Sequence, residues 1–561
     1  MKRDSIITFL FICMIVSCAF NVQARDTTRV QPAEWDNLAH GGSFVDRFLP
    51  MPITGILTSD AWGCADVLPR DILNGIEHPD WSYWGGRFFQ AEDGTYNSLI
   101  CRWPENHPKG HMGYPYSEIV RVVSDNPIGP YKPVGPVVGP GHNPEFFRLK
   151  DGRYAIYSVE TDREDKSLKD FYYYISNVLD GSWGKEKFEF DLRGRQKLRR
   201  MVNMSFVQRE DGTYIAMQRG GDIWFSKTGI STIMRISNKS AYPAVEGKFE
   251  DPVMWKTNIQ FHMIVNDWLG RIAYYLRSKD GIRWKVEPGV AYEPGISEYE
   301  DGTVVNWYKY ERIRMLQDDY GRAVQANFAV IDSSKHHDLP NDHHSSKNIS
   351  IPLTKGKLIE VLNAERIDAK TQEIKLNVFA EDDFNPHSDI DLNSLRLGAS
   401  ELVNYGKGCR IIDTERDGKH LVITFEGKGN GLTEDNFAVK LIGKTRDGKL
   451  LFGYARLPGV EYIEPILSAR KPVLSGGNKS NIVFEIQNFG MASSEPSAVK
   501  LAFESDGNII ELNGGIPALK PYEKAQVEIP NSVITRGQKG MVRIYTKSRK
   551  GMLLWEEDVA W

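Results

Sequence analysis

The chain has 561 residues, and this length predicts about three or four domains rather than one. It contains 50 glycines and is 11% aromatic, a composition that favours β structure with many turns. Its 70 basic and 74 acidic side chains leave a net charge of −4, which gives no reason to expect a nucleic-acid partner.

The amino terminus predicts export. Lys2 and Arg3 precede an apolar run from Ile6 to Val16 that is too short to span a membrane and is typical of a signal peptide, here residues 1–24. A second interpretation is that residues 15–18 form a bacterial lipobox whose Cys18 carries a lipid anchor. Either way we expect a periplasmic or cell-surface protein. No later stretch is long and apolar enough for a transmembrane span.

Three cysteines follow the signal, Cys64, Cys101 and Cys409. An odd number without metal-ligand spacing argues against both a disulfide framework and a zinc site.

A hairpin signal recurs along the first part of the chain. Residues 141–157 place Asp151 and Gly152 between alternating apolar residues, which is a strong indication of a β-hairpin. Matching Asp-Gly turns begin at Asp93 and Asp211, so the steps between turns are 58 and 60 residues. This regular spacing indicates an internal repeat.

Each repeat continues with a further predicted strand that ends in serine. Two more hairpins begin near residues 250 and 310, which makes five units of about fifty residues, the pattern of a β-propeller. We therefore predict an all-β fold with a five-bladed β-propeller over residues 45–350. The serines that end the strands are Ser124, Ser176, Ser226 and Ser278.

The pattern changes after residue 350. Alternating runs such as 373–378 and 421–425 predict a β-sandwich over residues 355–460. Runs such as 481–488 and 525–529 predict a second sandwich, immunoglobulin-like, over residues 461–561.

The propeller geometry indicates where functional side chains converge. The innermost strand of each blade begins beside the central channel, and the loop from the second to the third strand returns to the same face. Carboxylates, amides, histidines, arginines and indole rings at these positions suit sugar recognition, since sugar C–H faces stack on aromatic rings and hydroxyls need paired donors and acceptors. The predicted channel positions are Gly85, Asn143, Asn203, Asp251 and Glu311. Further candidates for the same pocket come from the residues that precede these positions, from the returning loops and from the segment before the first blade. They are Trp84, His142, Glu250, Arg102, His111, Trp268, Arg70, Glu77 and Asp80.

The ordered set of five units resembles the five-bladed propeller glycosidases of glycoside hydrolase families 43 and 117. The resemblance covers roughly residues 60–333, with 250–252 opening the fourth unit and 142–145 opening the second. Family 43 carries its acid, base and helper carboxylates on the first three blades, where this chain has Gly85, Asn143 and Asn203, so that set does not transfer. Family 117 uses Asp with a His acid, and its His matches no single residue here.

The resemblance implies glycoside hydrolysis, which requires a proton donor and a second group that activates water or stabilises the cationic transition state. Our preferred pair is Asp251 with Glu311, helped by Glu250 and His142. Glu77 and Asp80 are the next candidates. Trp84, Asn143, Asn203, Arg70, Arg102, His111 and Trp268 are the expected substrate-binding residues.

Structural explanations exist for the same residues. Asp251 before Pro252 is also a common turn cap, and Glu311 with Arg312 is also a candidate structural ion pair. His142 would equally serve to bond a neighbouring carbonyl group. Trp84 and Trp268 would equally serve as blade packing.

The predicted activity is exo-acting hydrolysis of oligosaccharides from an acidic or sulfated matrix polysaccharide, because arginine and histidine side chains bind carboxylate and sulfate well. Two alternatives remain open: a polysaccharide lyase acting on a uronate-containing glycan, and a propeller that binds glycans without catalysis. No cofactor is expected to be required. A divalent cation in the channel, or bound by the histidine-rich loop at residues 335–348, is a further option, although a solvated loop explains the same composition.

Overall fold

A computed structural model describes residues 29–61, 64, 67–161, 168–196, 203–237, 239–269, 271–338, 346–476, 480–547 and 551–561. Over these ranges the chain is built from β-strands with a few short helical turns, which confirms the predicted all-β class. The predicted signal peptide and Cys18 lie outside the described residues. No helix within the described ranges is both long and apolar enough to cross a bilayer.

Two antiparallel four-stranded sheets come first, and each has its strands in sequence order. Gly94 and Gly152 have positive φ angles in the turns that join the first two strands of each sheet, as an Asp-Gly hairpin requires. The first sheet contains β1 (Trp81–Gln90), β2 (Tyr96–Pro104), β3 (Glu118–Ser124) and β4 (Lys132–Val138). The second contains β5 (His142–Arg148), β6 (Tyr154–Thr161), β7 (Leu168–Ser176) and β8 (Gly184–Lys187).

Three further sheets follow, with a small β18–β19 ribbon between the last two. In the third sheet β9 pairs in parallel with β13, so it completes the outer edge of that sheet. The third sheet contains β9 (Phe190–Asp191), β10 (Ser205–Gln208), β11 (Tyr214–Met217), β12 (Ile223–Ser226) and β13 (Ile233–Arg235). The fourth contains β14 (Phe249–Lys256), β15 (Phe261–Asp267), β16 (Ile272–Ser278) and β17 (Lys285–Val286). The ribbon is β18 (Ser297–Glu298) with β19 (Val304–Val305), and the fifth sheet contains β20 (Lys309–Gln317), β21 (Ala323–Ile331) and β22 (Lys347–Pro352).

The strands β1, β5, β10, β14 and β20 contact one another in that order, and β20 contacts β1. They form a closed ring, which we call the ring. Aromatic side chains pack between neighbouring sheets: Phe89 stacks on Phe146 with ring centroids 4.6 Å apart, and Phe147 stacks on Phe206 at 5.0 Å. This packing holds the first three sheets against one another.

The next part of the chain forms a seven-stranded sheet around one apolar core. Its strands are β23 (Lys357–Val361), β24 (Glu373–Val378), β25 (Ile390–Gly398), β26 (Ile411–Asp417), β27 (His420–Glu426), β28 (Ala438–Thr445) and β29 (Leu450–Arg456). Two one-turn helices, α1 (Pro386–Asp389) and α2 (Ser400–Val403), flank β25.

The last part of the chain forms two four-stranded sheets that share one core. The immunoglobulin-like topology and the domain boundaries stay predictions. The strands are β30 (Leu467–Ala469), β31 (Val473–Ser475), β32 (Ser480–Asn488), β33 (Ser497–Ser505), β34 (Asn508–Ile516), β35 (Lys524–Asn531), β36 (Lys539–Thr546) and β37 (Leu553–Ala560).

A buried polar network joins the fourth sheet to the seven-stranded sheet. Arg277 donates to Glu287 Oε1 from both Nε and Nη2, at 2.9 and 2.6 Å, and from Nη2 to Ser400 Oγ at 2.6 Å. Asn404 donates to Glu287 Oε2 at 2.9 Å. Each charge therefore has a partner from another part of the chain, which buried ionic groups require.

Candidate functional site

One backbone feature repeats around the ring. Gly85, Asn143, Asn203, Asp251 and Arg312 all have left-handed backbone angles, with φ between 50 and 63°. A β-bulge interrupts strand pairing at this position in four of the five sheets. A conformation that is uncommon for residues other than glycine thus recurs where the five strands approach the axis.

This repeat corrects the predicted register of the fifth strand. The residue equivalent to Asp251 is Arg312, and Glu311 precedes it as Glu250 precedes Asp251. The prediction takes its register from the hairpin and places Glu311 itself at the channel position. The bulge after Glu311 matches the bulge after Glu250, which aligns Glu311 with Glu250 and Arg312 with Asp251.

The side chains of Asn143, Asn203, Asp251 and Arg312 form a chain of hydrogen bonds that ends against Gly85. We call these five residues the plug. Asn143 Nδ2 donates to Asn203 Oδ1 at 2.8 Å, and Asn203 Nδ2 donates to Asp251 Oδ1 at 2.7 Å. Arg312 donates to Asp251 from Nη1 at 2.9 Å and from its backbone N–H at 3.2 Å. At Gly85 an added Cβ would lie 3.4 Å from Arg312 Nε, so the arginine side chain packs against this glycine.

The plug holds Asp251 in contact with two other side chains. Its side chain is 2% exposed and is bonded to Asn203 and Arg312. Glu311 is similarly buried, with a side chain 4% exposed, and the catalytic pair of Asp251 with Glu311 stays a prediction. Asn203 is buried in the same network, and its role in substrate binding also stays a prediction.

The residues that precede the plug form the mouth of the site. Trp84, His142, Glu250 and Glu311 occupy equivalent positions, and Lys335, just after β21, joins them. Lys335 Nζ donates to Glu311 and lies 4.6 Å from the centroid of the Trp84 ring. The mouth thus contains the carboxyl groups of Glu250 and Glu311. The ammonium group of Lys335 contacts both Glu311 and the indole ring of Trp84.

Glu250 has the electrostatics of a proton donor. Burial, followed by the nearby charge of Asp251, raises the pKa of Glu250 to about 7, although Arg219 acts in the opposite direction. Arg219 Nη2 lies 3.0 Å from Glu250 Oε2, and Asn203 donates to Oε1 at 3.2 Å. The Glu250 side chain is 20% exposed, so a ligand can reach a carboxyl group that holds its proton near neutral pH.

Glu311 has the opposite environment. It accepts a hydrogen bond from Lys335, and Lys309 Nζ lies 3.9 Å from its second oxygen. Burial alone would lower the pKa of Lys335, but the charges of Glu311 and Glu250 raise it. The two carboxyl groups of the mouth are therefore held in different electrostatic surroundings, as acid–base pairs often are.

The two predicted histidines lie in the mouth as neutral groups. His142 packs against the Tyr114 ring at 4.6 Å, and its Nδ1 lies 3.3 Å from Ser117 Oγ. His111 Nδ1 lies 2.8 Å from Ser346 Oγ. Burial, with nearby cations, lowers the pKa of both imidazoles well below the usual value, so neither is a charged acid at neutral pH.

The two predicted indole platforms differ. Trp84 is buried and contacts His111 edge-on at 4.8 Å, so it packs within the site. Trp268 is partly exposed and has the ammonium of Lys309 at 4.5 Å from its ring centroid. The Trp268 Nε1 is buried and has no hydrogen-bond partner among the described residues.

The segment before the first sheet carries three of the predicted site residues, Arg70, Glu77 and Asp80. Arg70 is buried and bonds Glu77, with Nε to Oε2 at 3.2 Å, and Lys347 Nζ lies 3.7 Å from the same oxygen. Asp80 has a side chain 79% exposed and lies beside His78. The described contacts make Arg70 and Glu77 a buried ion pair. The site roles of Arg70, Glu77 and Asp80 stay predictions.

Arg102 is also engaged elsewhere. It donates from Nε to Glu118 Oε1 at 2.8 Å and stacks on Trp81 with 4.0 Å between the guanidinium carbon and the ring centroid. These contacts hold β2 against β3, and a substrate contact of Arg102 stays a prediction.

Sequence reasoning missed Lys335 and Lys309. Lys335 belongs to the histidine-rich loop that was interpreted as a solvated linker, and Lys309 lies two residues before Glu311. The sequence signal that could have identified these lysines is their position beside strands of the sheet that carries a predicted channel carboxylate. Among the described residues, no cluster of three His, Cys, Asp or Glu side chains suits a metal ion, and His343 and His344 lie outside those residues.

No family model matches the sequence, and no curated protein matches it. Among solved structures, a fructofuranosidase from Schwanniomyces occidentalis has a TM-score of 0.37 at 8% identity, covering 90% of this chain and 93% of that one. A family 43 glycoside hydrolase from Bacteroides ovatus has a TM-score of 0.34 at 11% identity, covering 87% and 91%. A family 43 β-1,3-galactosidase has a TM-score of 0.34 at 14% identity, covering 48% and 90%. At scores this low the likeness carries no weight for function, which has to rest on the side chains of the mouth.

Proposed function

We propose that the protein is an exported glycoside hydrolase that uses Glu250 as its general acid and Glu311 as its second carboxylate. The observation that carries this proposal is the reachable carboxyl group of Glu250, whose pKa is raised to about 7 beside a carboxylate held by lysines. Two carboxyl groups in contrasting environments are what glycoside hydrolysis requires.

The proposed fold is a five-bladed β-propeller followed by two sandwich domains. The closed contacts of β1, β5, β10, β14 and β20 support this assignment, as do the five left-handed residues at equivalent positions. In a propeller these strands line the axis, so the mouth is the axial pocket.

The proposed mechanism begins with proton donation. Glu250 protonates the glycosidic oxygen as the bond to the anomeric carbon breaks, and positive charge develops on the sugar ring. Glu311 acts on the anomeric carbon in one of two ways. Either it attacks that carbon, and water deprotonated by Glu250 then cleaves the glycosyl–enzyme bond, or it accepts a proton from water that attacks the carbon directly. Lys335 positions Glu311 through its hydrogen bond.

The proposed substrate is the end of an anionic oligosaccharide. Arg219, Lys309 and Lys335 supply three cations around two carboxyl groups, one of which holds its proton near neutral pH. This balance favours a uronate or sulfate group on the sugar.

A polysaccharide lyase is the second candidate. It is favoured by His142, a neutral imidazole that packs against Tyr114 at 4.6 Å, since a lyase needs an uncharged base and Arg or Lys to neutralise a uronate. In a lyase the base would remove the C5 proton of a uronate, and the C4–C5 double bond would form as the bond from C4 to the glycosidic oxygen breaks. The departing oxygen would take up a proton, and the uronate would be left unsaturated.

The experiment that tests the proposal is incubation of the full chain with acidic and neutral oligosaccharides, followed by mass analysis. A hydrolase gives products whose summed mass includes one added water. A lyase gives an unsaturated product that absorbs in the ultraviolet. Binding without any product would contradict both and would indicate a glycan-binding propeller.

A further inference from the structure

A cavity of about 730 Å³ lies away from the mouth, between the ring sheets and the seven-stranded sheet. The turns that join β14 to β15 and β20 to β21 line one side, and β23 and β29 line the other. The volume falls in the range of pockets that hold small organic ligands. We call this space the cleft.

A rigidly held arginine lies in the lining of the cleft. The Arg47 guanidinium lies between the rings of Phe44 and Phe452, at 4.5 and 4.2 Å from their centroids, and Nη2 donates to the Tyr454 hydroxyl at 3.3 Å. Arg47 is 6% exposed, and its Nε has no partner among the described residues. A buried cation with an unused donor is costly unless a ligand or water completes its bonding.

Two further donors line the cleft. Gln260 Oε1 accepts from Arg277 at 2.9 Å, while its buried Nε2 has no partner among the described residues. His420 Nδ1 accepts from the Ala380 N–H at 3.1 Å, which leaves the proton of a neutral imidazole on Nε2. The cleft therefore offers donors in excess, as an acceptor-rich ligand requires.

The charged side chains that line the cleft are mostly positive, which also suits an acceptor-rich ligand. Lys357, Lys419 and Arg456 line the cleft. Among the described residues that line it, Glu360 is the one acidic residue. Arg322 also lines it but is paired with Asp318 and Glu381. The exposed ring of Tyr320 lines the same cleft and presents an apolar face.

We propose that the cleft is a second, non-catalytic binding site for an anionic saccharide. Carboxylate or sulfate groups would bind the arginine and lysine side chains, hydroxyls would accept from Gln260 and His420, and a sugar face would stack on Tyr320. The proposal rests on the proposed function only for the class of ligand, because binding in the cleft involves none of the mouth residues. Such a site would hold a polymer on the enzyme while the mouth processes a chain end.

The test is calorimetric titration of the full chain carrying Glu250→Gln, which stops the proposed turnover. The probes are an oligogalacturonate, a sulfated galactan oligosaccharide and neutral cellotetraose. We expect two binding events for at least one anionic probe and none in the cleft for the neutral one. Preference between the two anionic probes distinguishes a carboxylate site from a sulfate site.

Charge reversal at two side chains of the cleft assigns the second event. Lys419→Glu with Arg456→Glu changes exposed side chains and is expected to weaken that event by about tenfold. Lys407→Glu, an exposed residue of the same part of the chain that does not line the cleft, is the matched control and should leave both events unchanged. A single binding event with every probe, or cleft variants that bind like the control, would overturn the proposal. The cleft variants are also assayed for hydrolysis of a short substrate. Hydrolysis that continues while binding in the cleft is absent means that the cleft proposal has failed and the proposed function has not.

Discussion

Arg312 Nη1 lies 2.9 Å from Asp251 Oδ1, and neither side chain is more than 2% exposed. The two residues occupy the same left-handed position on the fifth and fourth ring sheets. The carboxylate that resembled a catalytic acid is thus the partner of a buried arginine. The proposed catalytic residues, Glu250 and Glu311, lie one position earlier on the same two strands.

The first prediction concerns this pair. Asp251→Asn removes the charge opposite Arg312 and is expected to destabilise the fold by about 3 kcal/mol, since a buried ion that loses its partner is costly. Urea unfolding of the variant measures the loss. Asp80→Asn, at an exposed position, is the control and should unfold like the native chain. A native-like Asp251→Asn variant would show that the plug does not stabilise the ring.

The second prediction is a pH profile. Because Glu250 has to carry its proton, activity is expected to fall as the pH rises through about 7. Arg219 favours the charged form of Glu250, so Arg219→Gln is expected to raise the pKa of Glu250 and move this fall to higher pH. Initial rates across the pH range measure the shift. If activity decreases over the same pH range in Arg219→Gln as in the native chain, this result would argue against Glu250 as the titrating acid.

The third prediction concerns Lys335. Lys335→Met removes the hydrogen bond to Glu311 and is expected to lower kcat by about tenfold to a hundredfold, the usual cost of a misplaced catalytic group. Its charge also lowers the pKa of Glu250, so the alkaline fall in activity should move upward. Lys335→Arg keeps the charge and should recover part of the rate. Equal loss in both variants, without a pH shift, would indicate a merely structural lysine.

The fourth prediction concerns divalent cations. The guanidinium of Arg312 occupies the plug, where like charge opposes a channel-bound cation. Prolonged treatment with a chelator is therefore expected to leave activity unchanged, and added calcium should not raise the melting temperature. Loss of activity that calcium restores would contradict this expectation.

Much of the ring could be predicted because its signals are local. Asp-Gly turns and alternating apolar residues fix each hairpin within about fifteen residues, and the serine-ended strands follow at regular spacing. The strands end at Ser124, Ser176, Ser226 and Ser278 as expected.

The chemistry of the site was harder to predict because it depends on partners far apart in sequence. Asp251 meets Arg312 across 61 residues, and Asn348 donates to the Gly85 carbonyl across 263. Nothing in the residues around Asp251 reveals that its charge is already paired. The one-residue bulge at Glu311 also leaves no mark in the apolar pattern, since tyrosine, glutamate and arginine follow one another there.

The central claim is that Glu250 donates the proton in glycoside hydrolysis. The most direct test compares product masses from native protein and Glu250→Gln on natural oligosaccharides and on an aryl glycoside whose leaving group needs no proton. The account predicts hydrolysis by the native chain, loss of about a hundredfold or more on the natural linkage in Glu250→Gln, and a much smaller loss on the aryl glycoside. Glu246→Gln, four residues earlier and exposed, should behave like the native chain. Full activity of Glu250→Gln on the natural linkage would contradict the assignment.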